Sequence, residues 1–233
     1  MTAVAIILSV LVLAVAILIY PGEMSHVSSR LNRWLYDRAA ASYDRKWRST
    51  AYRNPAAQSQ IAQFATMSCR RSGIAHALDL GCGSGRGIRL VAEALAPATQ
   101  FTGIDFSSAM LDEFRNWLRE QDGSLEGRVN IVESDLATWA ERKNDTERYG
   151  LVIMLEVGEF VPKFAEVIRR VADVTAHGGG LILTRPAYLW WLFFPGRRQS
   201  RKALSDLLTS LGFEAPTFVD WRSRYELVFS RRR

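Results

Sequence analysis

Four glycines, at positions 81, 83, 85 and 87, lie between an apolar run and an amphipathic run of the sequence. The preceding run, "HALDL", predicts a buried strand, and the following run, "GIRLVAEAL", has the apolar spacing of a helix. Glycine permits a tight turn and a close approach of the backbone to a ligand, and the first turn of a helix offers free N–H groups. This strand, turn and helix therefore predict a binding loop for a nucleotide-like ligand.

Strands and helices alternate from this loop to the C-terminus. Further strands are predicted at "QFTGIDF", "VNIVESD", "YGLVIMLE", "GGGLILTRP", "PTFVDW" and "RYELVFSR". Helices are predicted between them at "SSAMLDEFRNWLREQ", "VPKFAEVIRRVADVT" and "RKALSDLLTSLG", and another precedes the first strand at 56–70. Because strands that alternate with helices form parallel sheets, we expect an α/β fold with a seven-stranded, mostly parallel sheet and helices on both faces.

An apolar run at the N-terminus, residues 3–20, contains no charged side chain. Its 18 residues, at about 1.5 Å per residue, would span roughly 27 Å, close to the hydrocarbon thickness of a bilayer. We interpret residues 1–22 as one transmembrane helix, with a cleaved signal peptide and a buried core helix as the alternatives. A signal peptide normally has a basic start and a small-residue cleavage site, and this run has neither.

A basic stretch follows the apolar run, with seven Lys and Arg residues between positions 30 and 53 and none before the run. The positive-inside rule therefore predicts a single-pass protein whose main domain faces the cytoplasm. We divide the chain into an anchor (1–22), a basic amphipathic segment (23–55) and an α/β domain (56–233). The basic segment is either a solvated helix face or a contact to anionic head groups.

Composition excludes several other classes of protein. Hydrophobic residues make up 48% of the chain, which is enough to fill a core. Cys69 and Cys82 have no CxxC spacing and no histidine nearby, so neither a disulfide framework nor a metal site is expected. The formal charge of +6 suits anionic lipid or nucleic acid. No separate basic and aromatic binding module is present, and we therefore expect no nucleic-acid partner.

The spacing of the glycines distinguishes two kinds of nucleotide loop. The dinucleotide fingerprint GxGxxG would require glycine at position 86 or 88, where the chain has Arg86 and Ile88. Asp79, followed by glycines at 81, 83 and 85, instead resembles the E/D-x-G-x-G-x-G motif of class I S-adenosylmethionine-dependent methyltransferases. The resemblance extends from about residue 35 to the C-terminus. It implies a Rossmann-like sheet and S-adenosylmethionine as the cofactor.

The same resemblance assigns cofactor-binding roles to residues at the strand ends. Asp105 corresponds to the acid that holds the ribose hydroxyls, and a carboxylate can accept both hydrogen bonds of a vicinal diol. Asp135 corresponds to the acid beside the adenine amino group. The full set implied is Asp79, Gly81, Gly83, Gly85, Asp105, Phe106, Asp135, Leu136 and Leu155.

Two glutamates follow the fourth strand in "LEVGEF", where the family often has a pattern like E-V-L-E-H. Glu156 and Glu159 match that pattern, while Gly158 and Phe160 replace its Leu and His. Both glutamates are candidate catalytic bases, although either could instead anchor the cofactor's amino group or a neighbouring helix. No Asn/Asp-Pro-Pro-Tyr/Phe segment follows this strand, which argues against the methylases of adenine and glutamine amino groups.

An aromatic stretch, "RPAYLWWLFFPGRR" at 185–198, follows the fifth strand. Tryptophan beside arginine is typical of membrane interfaces, with a loop packed into the core as the alternative. Tyr43, Trp190 and Trp191 are the candidate residues on the substrate side. We therefore expect a membrane-anchored methyltransferase acting on a hydrophobic or lipid-like small molecule. A non-catalytic cofactor-binding scaffold or assembly factor at the membrane, or a protein methyltransferase, is the alternative.

Overall fold

The computed structural model describes residues 9, 33–34, 36–43, 45, 54–121, 123, 125–142, 146–161, 163–187, 200–222 and 225–233. The described residues between 33 and 45 are helical, and we call them the N-terminal helical segment. The strands that follow are β1 (His76–Leu80), β2 (Gln100–Asp105), β3 (Val129–Glu133), β4 (Tyr149–Met154), β5 (Thr175–Pro186), β6 (Thr217–Arg222) and β7 (Tyr225–Arg231). The helices are α1 (Pro55–Ser72), α2 (Arg86–Val91), α3 (Ser108–Glu120), α4 (Leu136–Glu141), α5 (Phe164–Val174) and α6 (Arg201–Ser210).

The strands form one sheet in the order β3-β2-β1-β4-β5-β7-β6. Neighbours from β3 to β5 are parallel, whereas β7 is antiparallel to both β5 and β6. The sheet therefore confirms the predicted seven-stranded, mostly parallel architecture. Because the strand order reverses between β1 and β4, the carboxyl ends of these strands form a crevice, the usual ligand position in such sheets.

Local sequence explains the central elements. Every residue of β4 is buried, as expected for a parallel strand covered on both faces. The side chain of Ser107 caps α3 by accepting a hydrogen bond from the Met110 N–H. Strand β5 begins at Thr175, earlier than its predicted start at Gly178. Gly178, the predicted first residue, lies inside the observed strand and has φ +74°, a left-handed conformation that glycine adopts without a Cβ penalty.

The membrane helix predicted for residues 1–22 lies outside the described ranges except for Ser9. Among the helices that the structure does describe, none combines the length and apolar character needed to span a bilayer. The anchor and the domain division that depends on it stay predictions.

Candidate functional site

A cleft opens above the carboxyl ends of the central strands and beneath the N-terminal helical segment. It encloses about 940 Å³ of space, part of which is open to solvent. The residues named from the sequence that line it are Tyr43, Asp79, Gly81, Gly83, Asp105, Phe106, Asp135, Leu136, Leu155 and Glu156.

Asp79 holds the glycine loop against the start of α2. Its buried carboxylate accepts a hydrogen bond from the Ile88 N–H at 3.2 Å and another from the Gly87 N–H. A Cβ atom at Gly87 would overlap that carboxylate, so glycine is required there. Burial raises the pKa of Asp79 to about 7. Asp79 therefore shapes the loop as well as lining the cleft.

Asp105 joins the glycine loop to the start of α3. Its Oδ2 accepts from the Gly83 N–H at 2.8 Å, and its Oδ1 accepts from the Ser107 N–H at 2.9 Å. Burial raises the pKa of this carboxyl, while the backbone donors and the nearby Arg33 charge act in the opposite direction. The carboxylate is thus held in a fixed orientation at the wall of the cleft.

Asp135 and Leu136 begin helix α4 at the edge of the cleft. The Asp135 carboxylate caps this helix by accepting from the Ala137 N–H at 2.8 Å. The cap fixes the side chain beside the space where the resemblance puts the adenine amino group. Asp135 therefore combines a structural contact with a position in the lining.

Glu156 is anchored by three other parts of the chain. Its Oε1 lies 3.1 Å from Arg86 Nη2 and accepts a hydrogen bond from Trp221 Nε1 at 3.1 Å. Its backbone has φ +57°, a left-handed conformation that is costly for a residue other than glycine, and its N–H donates to Thr184 Oγ1 at 2.5 Å. Because Glu156 is paired with Arg86 at the start of α2, its carboxylate is better suited to anchoring a neighbouring helix than to acting as a free catalytic base.

Two predicted site residues do not line the cleft. The Glu159 side chain is buried behind it, where Tyr225 donates a hydrogen bond to Oε1, while Oε2 has no hydrogen-bond partner among the described residues. Gly85 faces α3, and a Cβ atom there would overlap the ring of Phe114. Trp190 and Trp191 fall in the range 188–199, which the structure does not describe.

Sequence reasoning missed several residues of the lining. Tyr36 packs edge-on against Phe106 and Phe160, with ring centroids 6.1 and 6.0 Å apart. Tyr36 and Tyr43 are seven positions apart, a spacing that places both on one helix face and could have indicated this role. The lining residues not named in advance are Tyr36, Cys82, Arg86, Gly87, Met110, Ala137, Val157, Phe160 and Val161.

Changing Glu159 to Gln should make unfolding less dependent on pH. Burial raises the pKa of Glu159 to about 7 from 4.5, with the nearby Glu156 charge acting in the same direction and Tyr225 and Arg86 opposing it. Between these values the unfolded chain has lost a proton that the folded protein retains, so the stability contributed by this carboxyl falls as pH rises. The full loss is on the order of 3 kcal/mol.

Denaturant titrations at pH 5 and pH 8 measure this effect. Gln keeps an acceptor for Tyr225 and adds no charge, so the variant should gain stability relative to the original protein at the higher pH. Parallel stability curves for the two proteins would show that the carboxyl is not buried as described.

Comparison with known proteins agrees with the geometry. Residues 78–181 match a family model described as "Methyltransferase domain". Ubiquinone biosynthesis O-methyltransferase from Coxiella burnetii is 28% identical over 132 residues, which cover 56% of this chain and 50% of that protein. The chain therefore aligns with about half the length of this relative.

Solved structures show the same fold at low sequence identity. An S-adenosylmethionine-dependent methyltransferase from Clostridium acetobutylicum superimposes with a TM-score of 0.59 at 14% identity, covering 85% of this chain and 99% of that one. Magnesium protoporphyrin IX methyltransferase from Synechocystis has a TM-score of 0.56 at 19% identity, covering 86% and 96%. Residues 78–181 thus match a methyltransferase domain, and the fold is shared with solved structures of S-adenosylmethionine-dependent methyltransferases.

Proposed function

We propose that this chain, which carries an S-adenosylmethionine-dependent methyltransferase domain, methylates a hydrophobic or lipid-like small molecule at a membrane surface. The proposal includes an anchor at residues 1–22 and a catalytic domain in the cytoplasm. The observation that carries it is the convergence of Asp79, Asp105, Asp135 and Glu156 on one cleft, although each lies near the carboxyl end of a different strand. Aromatic side chains close that cleft.

The residues of the cleft fit the cofactor. Asp105 presents a fixed carboxylate suited to a ribose diol, because the rest of its hydrogen bonding is to backbone N–H groups. Phe106 and Leu136 would hold the adenine ring, Asp135 its amino group, and Leu155 the methionine end. When bound, S-adenosylmethionine supplies a methyl group on a sulfonium that a nucleophile can attack.

The chain's own residues orient the acceptor and exclude water. Methyl transfer from a sulfonium depends chiefly on alignment, and a base is needed only if the nucleophile still carries a proton. Tyr36, Tyr43 and Phe160 cover the cleft from above and from the β4 side. Arg86 fixes Glu156 and donates to the Tyr43 hydroxyl at 3.3 Å, which holds the N-terminal helical segment on the domain.

The aromatic walls support an apolar acceptor, since aromatic side chains supply most of the contact area in such pockets. The similarity to a ubiquinone biosynthesis O-methyltransferase supports the same substrate class. The aromatic stretch at 185–198 and the charge-free run at 3–20 add further support from the sequence. Together they favour entry of the substrate from a membrane.

A non-catalytic cofactor-binding scaffold is the second candidate. One observation favours it: the carboxylate that lines the cleft at the end of β4, Glu156, is already paired with Arg86. A scaffold would bind the cofactor and transfer no methyl group. Measurement of binding and transfer on the same preparation separates these functions.

The full chain in detergent should bind S-adenosylmethionine, and Asp105→Ala should weaken that binding by about 1–3 kcal/mol, because charge-assisted hydrogen bonds are lost. Isothermal calorimetry measures the affinity. Asp112→Ala, which removes an exposed carboxylate on α3, is the matched control and should bind normally. A folded protein that binds no S-adenosylmethionine, or binds NAD more tightly, would contradict the proposal.

The substrate class is tested on cells that lack the protein. Their lipid extracts should contain a compound lighter by one methylene than its counterpart in normal cells, and the purified enzyme should convert it. If label from the cofactor enters protein alone, the lipid-like substrate is wrong. If binding occurs without any transfer, the scaffold is correct.

A further inference from the structure

The N-terminal helical segment forms part of the cleft with its inner face. Ser107 donates a hydrogen bond from its hydroxyl to the Asp37 carboxylate at 2.5 Å. Tyr36 packs against Phe106, and Tyr43 accepts a hydrogen bond from Arg86. Ser107 also donates its N–H to Asp105, so the segment contacts the same loop that orients the proposed ribose-binding carboxylate.

The outer face of the same segment carries tryptophan and arginine. The Trp34 residue is 54% exposed, and the guanidinium of Arg38 lies over its ring at 5.6 Å. Arg45 is exposed on the last described turn. Arg33 is not part of this face, because its guanidinium lies over the Phe106 ring at 5.5 Å and 3.3 Å from Glu133. An exposed tryptophan flanked by cations is the side-chain combination that favours the head-group region of an anionic bilayer.

We propose that this outer face binds the surface of an anionic phospholipid bilayer, and that the contact orders the segment over the cofactor cleft. The inference rests on the proposed function, because it assigns a regulatory partner to the same site. One helical turn carries both Arg38, on the outer face, and Asp37, which accepts the hydrogen bond from Ser107. Lipid contact on one side therefore restrains the wall of the cleft on the other.

Charge and position both favour a bilayer as the partner. The charge-free run at 3–20 precedes the segment in the sequence, and an anchor there would keep Trp34 near the bilayer surface. A tryptophan ring packs favourably at the membrane–water interface, and arginine side chains are attracted to anionic head groups. A nucleic acid would require a basic surface of greater extent, and we therefore commit to the lipid.

Linkage makes the effect reciprocal. If lipid contact orders the segment and the cofactor binds the ordered cleft more tightly, each ligand strengthens the binding of the other by the same factor. We expect S-adenosylmethionine to bind about five-fold more tightly in anionic than in neutral vesicles, the lower end of typical coupling between sites. Added salt should reduce that difference, because it screens the head-group charge.

The experiment uses the full chain reconstituted into vesicles of phosphatidylcholine alone or mixed with phosphatidylglycerol. Calorimetry measures cofactor affinity in each, and hydrogen exchange measures protection of the amides at 36–43. The variant Arg38→Gln with Arg45→Gln removes two cations from the outer face. The control variant, Arg115→Gln with Arg119→Gln, removes two cations from α3 and leaves the segment unchanged.

Tighter cofactor binding and greater amide protection in anionic vesicles, lost in the outer-face variant and retained in the control, would support the proposal. Equal affinity in the two kinds of vesicle overturns it while leaving the proposed function intact. Equal loss in both variants also overturns it, because the effect would then arise from overall charge. Failure of the cofactor to bind in either vesicle would overturn the proposed function itself.

Discussion

Replacing Arg86 by Met should destabilise the folded protein by about 3–5 kcal/mol, the usual effect of leaving one partner of a buried ion pair without the other. The side chains of Arg86 and Glu156 are only 6% and 14% exposed, and their charged atoms lie 3.1 Å apart. Without Arg86 the Glu156 carboxylate would lose the guanidinium at 3.1 Å and keep the hydrogen bond from Trp221 Nε1. Burial of that charge would then lack its main compensation.

Chemical denaturation of the variant measures the loss. The double variant Arg86→Met with Glu156→Gln removes both charges and should regain most of the stability, because the remaining carboxamide is neutral. If the double variant is as unstable as Arg86→Met alone, the ion pair is not the cause of the loss. Packing of the arginine side chain would then be responsible.

Replacing Gly85 by Ala should cost about 2–5 kcal/mol, as the sum of left-handed backbone strain and overpacking. Gly85 has φ +84°, and a Cβ atom would overlap the ring of Phe114, which is fully buried in the core. The ring cannot move away without opening the contact between α3 and the glycine loop. The loop is therefore expected to shift, and the cofactor site with it.

Gly73→Ala is the matched control, since Gly73 has φ +69° and nothing lies within 4 Å of an added Cβ. It should show the backbone strain alone, about 1–2 kcal/mol. Thermal or denaturant unfolding of both variants measures the difference that the Phe114 contact causes. Equal losses in the two variants would contradict the packing role assigned to Gly85.

The residues of the glycine motif contribute to the site in two ways. Asp79 and Gly85 build the loop, through hydrogen bonds to the start of α2 and packing on α3. Gly81 and Gly83 line the cleft directly. The motif pattern alone does not distinguish these roles, because every position in it is needed for the loop to form.

The sequence by itself determined the type and order of most of the elements, though not helix α4, and it predicted the kind of ligand. β1 occupies the predicted residues, and Ser107 caps the predicted helix, because both signals depend on neighbouring positions. The spacing of the glycines in the loop is also a local signal, and it favoured S-adenosylmethionine over a dinucleotide. The resemblance to the methyltransferases assigned Asp105 and Asp135 to the site, and parallel strands bring the ends of β2 and β3 together.

Only the tertiary structure decided how the side chains around the cleft are paired. Trp221 reaches Glu156 across 65 positions of sequence, Tyr225 reaches Glu159 across 66, and Ser107 reaches Asp37 across 70. β7 lies between β5 and β6, which brings the tryptophan and tyrosine to the end of β4. Periodicity shows which face of an element is buried, but it does not show which distant element covers that face, because packing of the whole chain selects the partner.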